Sequence, residues 1–504
     1  MAGLQNLLHK GEIAANHRPW PRIAVTTEIW SEAIRGLAGG QWQLLGLWGE
    51  PDCVHMALCD ESDQSIAVVS LACEGRRYPS VALHHPPALR LERSLRDLFG
   101  IEPLGLPDRR SWLDHGTWDV RYPLATKPDR PPIDRAYAFL PVEGGGLHQI
   151  PVGPVHAGII EPGHFRFTAN GETVVRLEQR LGYVHKGIEG LMAGATLEAA
   201  GKLAARTSGD STVAYGLAFA RAVEAALWVE APPRAAHLRA LMAELERIAN
   251  HLGDFGAICN DASFALIQAH CAVLREKVLR AAETAFGHRL MRDRIVPGGV
   301  AAEIGSDGAG AFRALIADIK ALFPALVELY DNTASLQDRT VTTGTVKPFL
   351  ARQYASGGYI GRASGRVFDA RKNFAYAPYD QFSFDVPVLD AGDVNARVWI
   401  RIREIEQSLS LIAQLLDRMP PGALRSDLPL TGTPCEGMAL IEGFRGDILV
   451  WLRLDAGNRI ARCHLRDPSW FQWPLLEAAI EDNIVADFPL CNKSFNCSYS
   501  GHDL

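Results

Sequence analysis

The chain has 504 residues, 47% of them hydrophobic and 22% charged, the balance of a globular protein long enough for two or more domains. A formal charge of −7 speaks against nonspecific nucleic-acid binding and offers no polybasic membrane anchor, and no run of about 18 apolar residues is present to cross a bilayer. Nine cysteines without a CxxC pair and an N-terminus without a secretory apolar region predict free thiols in a reducing, cytoplasmic setting, with any membrane link made through partners.

In chain order, residues 1–125 mix strand-like runs, "RIAVTTEIW" and "SIAVVSLAC", with a helical segment ending in "ALRLERSLRDLFG". Residues 126–150 are rich in proline and glycine and read as a linker. "FRFTANGETVVRLEQRLG" reads as a hairpin with Asn170-Gly171 as its two-residue turn. From 196 to about 340 the period is helical, and Leu238, Leu241, Met242, Leu245, Ile248 and Leu252 form one apolar stripe. A second long helix is predicted over about 394–418, and residues 436–466 are strand-rich with a glycine turn. The expected class is α+β: a small α/β domain over 1–125, the linker, and a domain over 151–504 with a helical-bundle core and small β elements.

Several polar groupings have ordinary explanations. "GGYIGRASG" lacks the G-x-G-x-x-G spacing and the strand–turn–helix setting of a dinucleotide loop. His148, His156, His164 and His185 share a window but no ligand spacing, and Cys491, Cys497 and His502 make an incomplete soft corner. Arg401 and Glu404 in "RIREIEQSLS" read as a solvated helix face. The stretch "RTSGDSTVAYG", 206–216, needs more explanation: a helix start calls for one small polar residue and an acid, not for serines at both 208 and 211.

Seven longer blocks give the elbow a context. "SLRDLFGIEPLGLPDRRSWLDHGTWDVRYPL", "GPVHAGIIEPGHFRF", "YVHKGIEGL", "ELERIANHL", "RASGRVFDARKNFAYAPYD", "GDVNARVWIRIREIEQSL" and "EGFRGDILVWL" run in order from about residue 94. Together they resemble the large subunits of energy-converting [NiFe]-hydrogenases of the formate hydrogenlyase type, and the related quinone-site subunits of complex I. The first segment resembles the accessory complex I subunit fused ahead of the large subunit in hydrogenlyases. In that hydrogenase pattern the elbow reads Arg-x-Cys-Gly-x-Cys, and a second CxxC closes the chain. Here Arg206 and Gly209 remain, but Ser208, Ser211, Ser498 and Gly501 stand at the cysteine positions, beside a retained Tyr499. A protonated, hard hydroxyl does not replace a soft thiolate, so no metal is expected in this chain.

The resemblance also reaches the quinone-site subunits through Asp369, Arg371, Asp393 and Arg397. Their quinone-facing tyrosine falls at Gly209 and their hairpin-loop histidine near Pro162. Arg206, Asp369 and Arg371 are expected in structural ion pairs. Glu189 matches a glutamate at the border of the hydrogenase metal site. As a buried carboxylate it suits a proton relay, and its alternative is a structural pair with Lys186. If the fold is kept, Ser208, Asp210 and Ser211 should face Ser498 and Tyr499 across a polar cavity bordered by Glu189. Otherwise Ser208 caps the next helix and the space has filled.

The resemblance implies a peripheral subunit on the inner face of the cell membrane. Its partners would be an iron–sulfur small subunit with a 4Fe-4S cluster and antiporter-like and anchor membrane subunits, with NAD and quinone chemistry belonging to such complexes as wholes. Three roles compete: coupling of electron transfer to proton or ion translocation, reduction of quinone or another acceptor in a remodelled pocket, and a non-redox scaffold.

Overall fold

A computed structural model describes residues 3–129, 137–305 and 307–504; residues 130–136 of the expected linker lie outside that set. The first segment forms a five-stranded mixed sheet from β1 (Glu12–Ile13), β3 (Arg22–Val25), β4 (Gln43–Glu50), β5 (Cys53–Asp60) and β6 (Ser65–Ala72), in the order β1-β3-β6-β5-β4. Between β1 and β3, β2 (His17–Arg18) belongs to another sheet. "TTEIW" is not strand: after Val25 the chain turns into α1 (Thr27–Ala38), whose apolar face carries Trp30, Ile34 and Leu37 at helical spacing. The helix α2 (Leu89–Phe99) ends where Gly100 adopts a left-handed conformation, which glycine accepts at little cost.

Three antiparallel strands follow: β7 (Leu147–Val152), β8 (His164–Asn170) and β9 (Thr173–Arg180). Asn170 pairs with Thr173, so the hairpin loop is Gly171-Glu172, one residue later than the sequence signal placed it. Gly171 takes the positive φ, and Asn170 closes the strand.

After the short α3 (Ile188–Met192), the large unit is built on α4 (Thr212–Leu227), α5 (Pro233–Asp261), α6 (Ala265–Phe286), α7 (Gly308–Asn332) and α8 (Val394–Asp417). All six residues of the predicted stripe on α5 are fully buried. The helix is also buried on other faces, against α6, α8 and the last sheet, because it occupies the middle of the bundle. That last sheet contains β10 (Cys435–Gly443), β11 (Gly446–Leu454) and β12 (Ile460–Arg466), antiparallel to one another, with β2 added in parallel along β10. A Cβ at Gly437 would collide with the Ala222 carbonyl, so glycine lets α4 lie directly on β10. Three further helices complete the chain: α9 (Ser469–Ala479), α10 (Phe488–Phe495) and α11 (Tyr499–Asp503).

The two segments share apolar cores. Trp48, Ala57 and Val68 from the first sheet pack with Met438, Leu440, Leu449 and Trp451 from the last. Among the described residues, no helix is long and apolar enough to cross a membrane.

Candidate functional site

Residues 206–211 turn the chain into α4 through a single 3₁₀ turn, Gly209–Ser211. Neither Ser208 nor Ser211 caps a helix with its side chain. The first N–H groups of α4 are satisfied from across the bundle: Val213 and Ala214 donate to the two oxygens of Glu246 on α5, at 2.7 and 3.0 Å. Burial outweighs those two bonds and pushes the Glu246 carboxyl up to about 8.

The elbow serines turn instead toward Asp210 and the C-terminus. Ser208 Oγ donates to Asp210 Oδ1 at 2.8 Å and lies 3.0 Å from Ser498 Oγ. Ser211 Oγ reaches Asp210 Oδ1 at 3.3 Å. Arg445 grips the same carboxylate through both terminal nitrogens, at 2.8 and 2.6 Å. Burial works against the charge on Asp210, but the guanidinium holds its pKa below the ordinary value. Arg445 sits with Phe444 at the two-residue tip of the β10–β11 hairpin, and that tip is pressed onto "GGYIGRASG". A Cβ at Gly358, where φ is +63°, would strike the Arg445 carbonyl, and one at Gly357 would strike Asp447. The glycines therefore serve close backbone packing that aims an arginine, and no phosphate loop is needed to explain them.

The polar cavity expected between Ser208, Asp210 and Ser211 on one side and Ser498 and Tyr499 on the other is bridged by the Ser208–Ser498 contact. Ser498 also caps α11, accepting from Gly501 N at 2.9 Å. A side chain at Gly501 would meet the Asp467 carboxylate and Ser498 Oγ. Tyr499 turns away from the elbow, its ring 4.8 Å from that of Trp473 and against Gly163. Cavities do remain on the other side of Asp210. One of about 360 Å3 opens between α5 and α6, lined by Asp210, Asn250, Asp254, Gln268, Arg275 and Asn496.

The remaining candidates are placed as follows. Arg206 forms a two-pronged pair with Asp293, 2.7 Å on each side, at the surface. Glu189 is buried, and its partners are Arg462 at 2.8 Å and His464 at 2.7 Å rather than Lys186. The Arg462 guanidinium and the His464 ring together overcome its burial and bring its carboxyl down to about 2. It lines a cavity of its own, with none of the elbow serines. His502 uses both ring nitrogens, Nδ1 toward Asp503 and Nε2 accepting from Trp112, and its ring stacks on Trp470. The Cys491 thiol lies apart from it, beside Gly344 and Arg397, and burial pushes it up to about 11.

A second cluster lies deeper. Asp369 and Arg371 pair at 2.6 Å, and Arg371 also donates to Glu244 at 2.9 Å. Tyr379 and Ser408 complete the shell of Glu244 at 2.7 and 2.6 Å. Arg362 donates to Glu404 and Glu442, both at 2.8 Å, and His251 meets Glu404 at 2.7 Å. Arg401 and Glu404 are thus not a solvated face: they are 0% and 2% exposed, and Arg401 pairs with Asp254 on α5 at 3.1 Å. Asp393 caps α8 through Ala396 N at 2.7 Å. Arg397 spends its guanidinium on Ser494 Oγ and the Gly392 and Gly344 carbonyls, at 3.0, 2.7 and 2.9 Å. Burial draws its pKa down to about 10, a pull that the Asp393 carboxylate offsets only in part.

Sequence reasoning missed Arg445, Glu246, Arg362 and Glu442. Arg445 carried a usable signal, since an arginine between glycine-flanked strands stands at a hairpin tip. The others have signals only in three dimensions.

The comparisons agree with this architecture. Residues 50–130 match the 30 Kd subunit family of respiratory-chain NADH dehydrogenase, and residues 267–438 match its 49 Kd subunit family. The chain is 30% identical to formate hydrogenlyase subunit 5 of Escherichia coli K12, over 84% of this chain and 77% of the relative. It is 29% identical to hydrogenase-4 component G of the same organism, over 89% and 80%. It is also 30% identical to the carbon monoxide-induced hydrogenase of Rhodospirillum rubrum, over 69% and 97%. Fold and matches define a fused large subunit in which a 30 Kd-type segment leads into a 49 Kd-type one. The chain belongs to the family that holds the complex I 49 Kd subunits and these hydrogenase proteins.

Proposed function

We propose that the chain is a nickel–iron-free subunit of a membrane-associated, complex I-like or hydrogenase-related redox complex, where it couples electron transfer to proton or ion translocation. It docks an iron–sulfur small subunit holding the 4Fe-4S cluster and works with antiporter-like and anchor membrane subunits. The observation carrying this reading is the Ser208–Ser498 contact at 3.0 Å beside the Asp210–Arg445 pair. Hydroxyls bonded to each other, a glycine facing a carboxylate and an inserted guanidinium are a poor donor set for nickel and iron, which favour soft thiolates.

Coupling needs a group that exchanges protons near neutral pH. Glu189 is held ionised by the Arg462 guanidinium and the hydrogen bond to His464, so it suits that task less than Glu442, whose pKa is raised by burial and by the Asp369 carboxylate. The groove beside Asp210 favours one second reading, reduction of a polar acceptor; its carboxamide and charged lining does not suit an apolar quinone ring. The native complex, reconstituted in vesicles, tests the proposal. Glu442→Gln keeps an acceptor for Arg362 and should lower ion pumping per electron while assembly is normal. Unchanged pumping in that variant, or about one nickel per chain retained through gel filtration, overturns it.

A further inference from the structure

The cavity that Glu189 lines is unlike the elbow. It measures about 390 Å3 and is walled by Leu98, Leu113, Trp118, Val120, Leu124 and Leu191, so its two sides come from the first segment and from the turn into α3. A concave, mainly apolar space of this size lies toward the small end of ligand sites, which span about 300–1,000 Å3, and the few polar groups in such a site fix the ligand's orientation. The room suits one hydrocarbon chain and not two.

Its polar groups differ in how much of their chemistry is already used. Glu189 is committed to Arg462 and His464, so it offers a ligand no free charge. Lys186 stands exposed at the mouth. Its ammonium donates to the Ser500 carbonyl at 3.3 Å, and the Glu161 and Asp503 carboxylates act on it through space rather than as close ion-pair partners. His185 stacks on Trp118 at 4.8 Å, and its Nδ1 meets the Asp503 carbonyl at 2.7 Å. A carbonyl only accepts, so Nδ1 carries the hydrogen and Nε2 keeps a lone pair. Leu191, 58% exposed at the rim, is an apolar residue that a bound chain would cover.

We propose that this cavity binds a single-chain anionic amphiphile, a free fatty-acid carboxylate with its chain between Trp118 and Leu191 and its head on Lys186. A bound chain would touch residues 98–124 and 185–191 together and so fasten the first segment to the large one. The proposal is independent of the elbow and of the coupling role.

Calorimetric titration of the full-length chain with decanoate and decyltrimethylammonium, each below its micelle concentration, and with decanol below its solubility limit, tests it. Decanoate should bind at one site and at least about fivefold more tightly than the ammonium compound, the scale of one exposed charge contact. Lys186→Met should weaken decanoate about fivefold and leave decanol unchanged. A Cβ at Gly190 would lie 3.4 Å from Leu124, so Gly190→Leu should fill the cavity and abolish binding of both. Equal binding of the cationic amphiphile, no saturable decanoate binding, or wild-type binding by Gly190→Leu overturns the proposal. So does Lys186-dependent attachment to anionic phospholipid vesicles by a chain that ignores free decanoate.

Discussion

The elbow and the deep cluster are made of the same groups, arginine against carboxylate with hydroxyl support, yet they occupy opposite surroundings. Around Arg362 every charged side chain is within a few per cent of complete burial. At the elbow, Asp210 keeps 35% of its side chain exposed and opens onto a groove. In the dry cluster a lost partner strands a charge with no water to replace it, whereas at the elbow water can enter. One region is therefore built to hold an arrangement, and the other can exchange partners.

The largest effect should follow from Arg362→Met, which strands Glu404 and Glu442. A loss of about 3–5 kcal/mol is expected, read as a lower urea midpoint. Arg445→Met removes the corresponding guanidinium at the elbow, and because water reaches Asp210 the loss should be nearer about 1–2 kcal/mol. Equal losses in the two variants would erase the contrast.

Glu246 sharpens the comparison through pH. Its carboxyl is raised from 4.5 to about 8 in the fold, so between those values the folded chain binds the proton that the unfolded chain releases. Its contribution is full below about pH 4.5 and is lost as pH rises toward 8, with a slope of up to about 1.4 kcal/mol per pH unit. Glu246→Gln should flatten that part of the stability–pH curve. The smallest effect belongs to Ser208→Ala, at most about 1 kcal/mol, since Asp210 keeps Arg445 and Ser498 keeps the Gly501 N–H when the hydroxyl is removed.

What could be read from the chain follows the same division. The α5 stripe and the long helix at 394–418 were legible because apolar periodicity is a local signal. The paired Asp369 and Arg371 were legible as neighbours in the sequence. Arg401 and Glu404 were misread because charges on a helix usually face water, and only the arrival of Asp254, His251 and Arg362 from other elements reverses that. Glu189 lost its nearby partner, Lys186, to Arg462 and His464, some 275 residues away. The elbow's residues were identified, but its closure depends on Arg445, a hairpin-tip residue that no local pattern links to position 210.

The two-residue strand β2 has a consequence for how the molecule is made. It covers the edge of β10 by pairing His17 with Glu436 and Arg18 with Gly437, and Arg22 fastens the same corner to Glu436, 414 positions later. At a synthesis rate of about 5–20 residues per second, the N-terminal strand emerges roughly 20–80 seconds before its partner exists. For that interval the first sheet lacks the apolar face contributed by Met438, Leu440 and Trp451, and the nascent chain carries an uncovered hydrophobic surface. Its protection during those seconds is a task for the ribosome's surroundings rather than for the sequence.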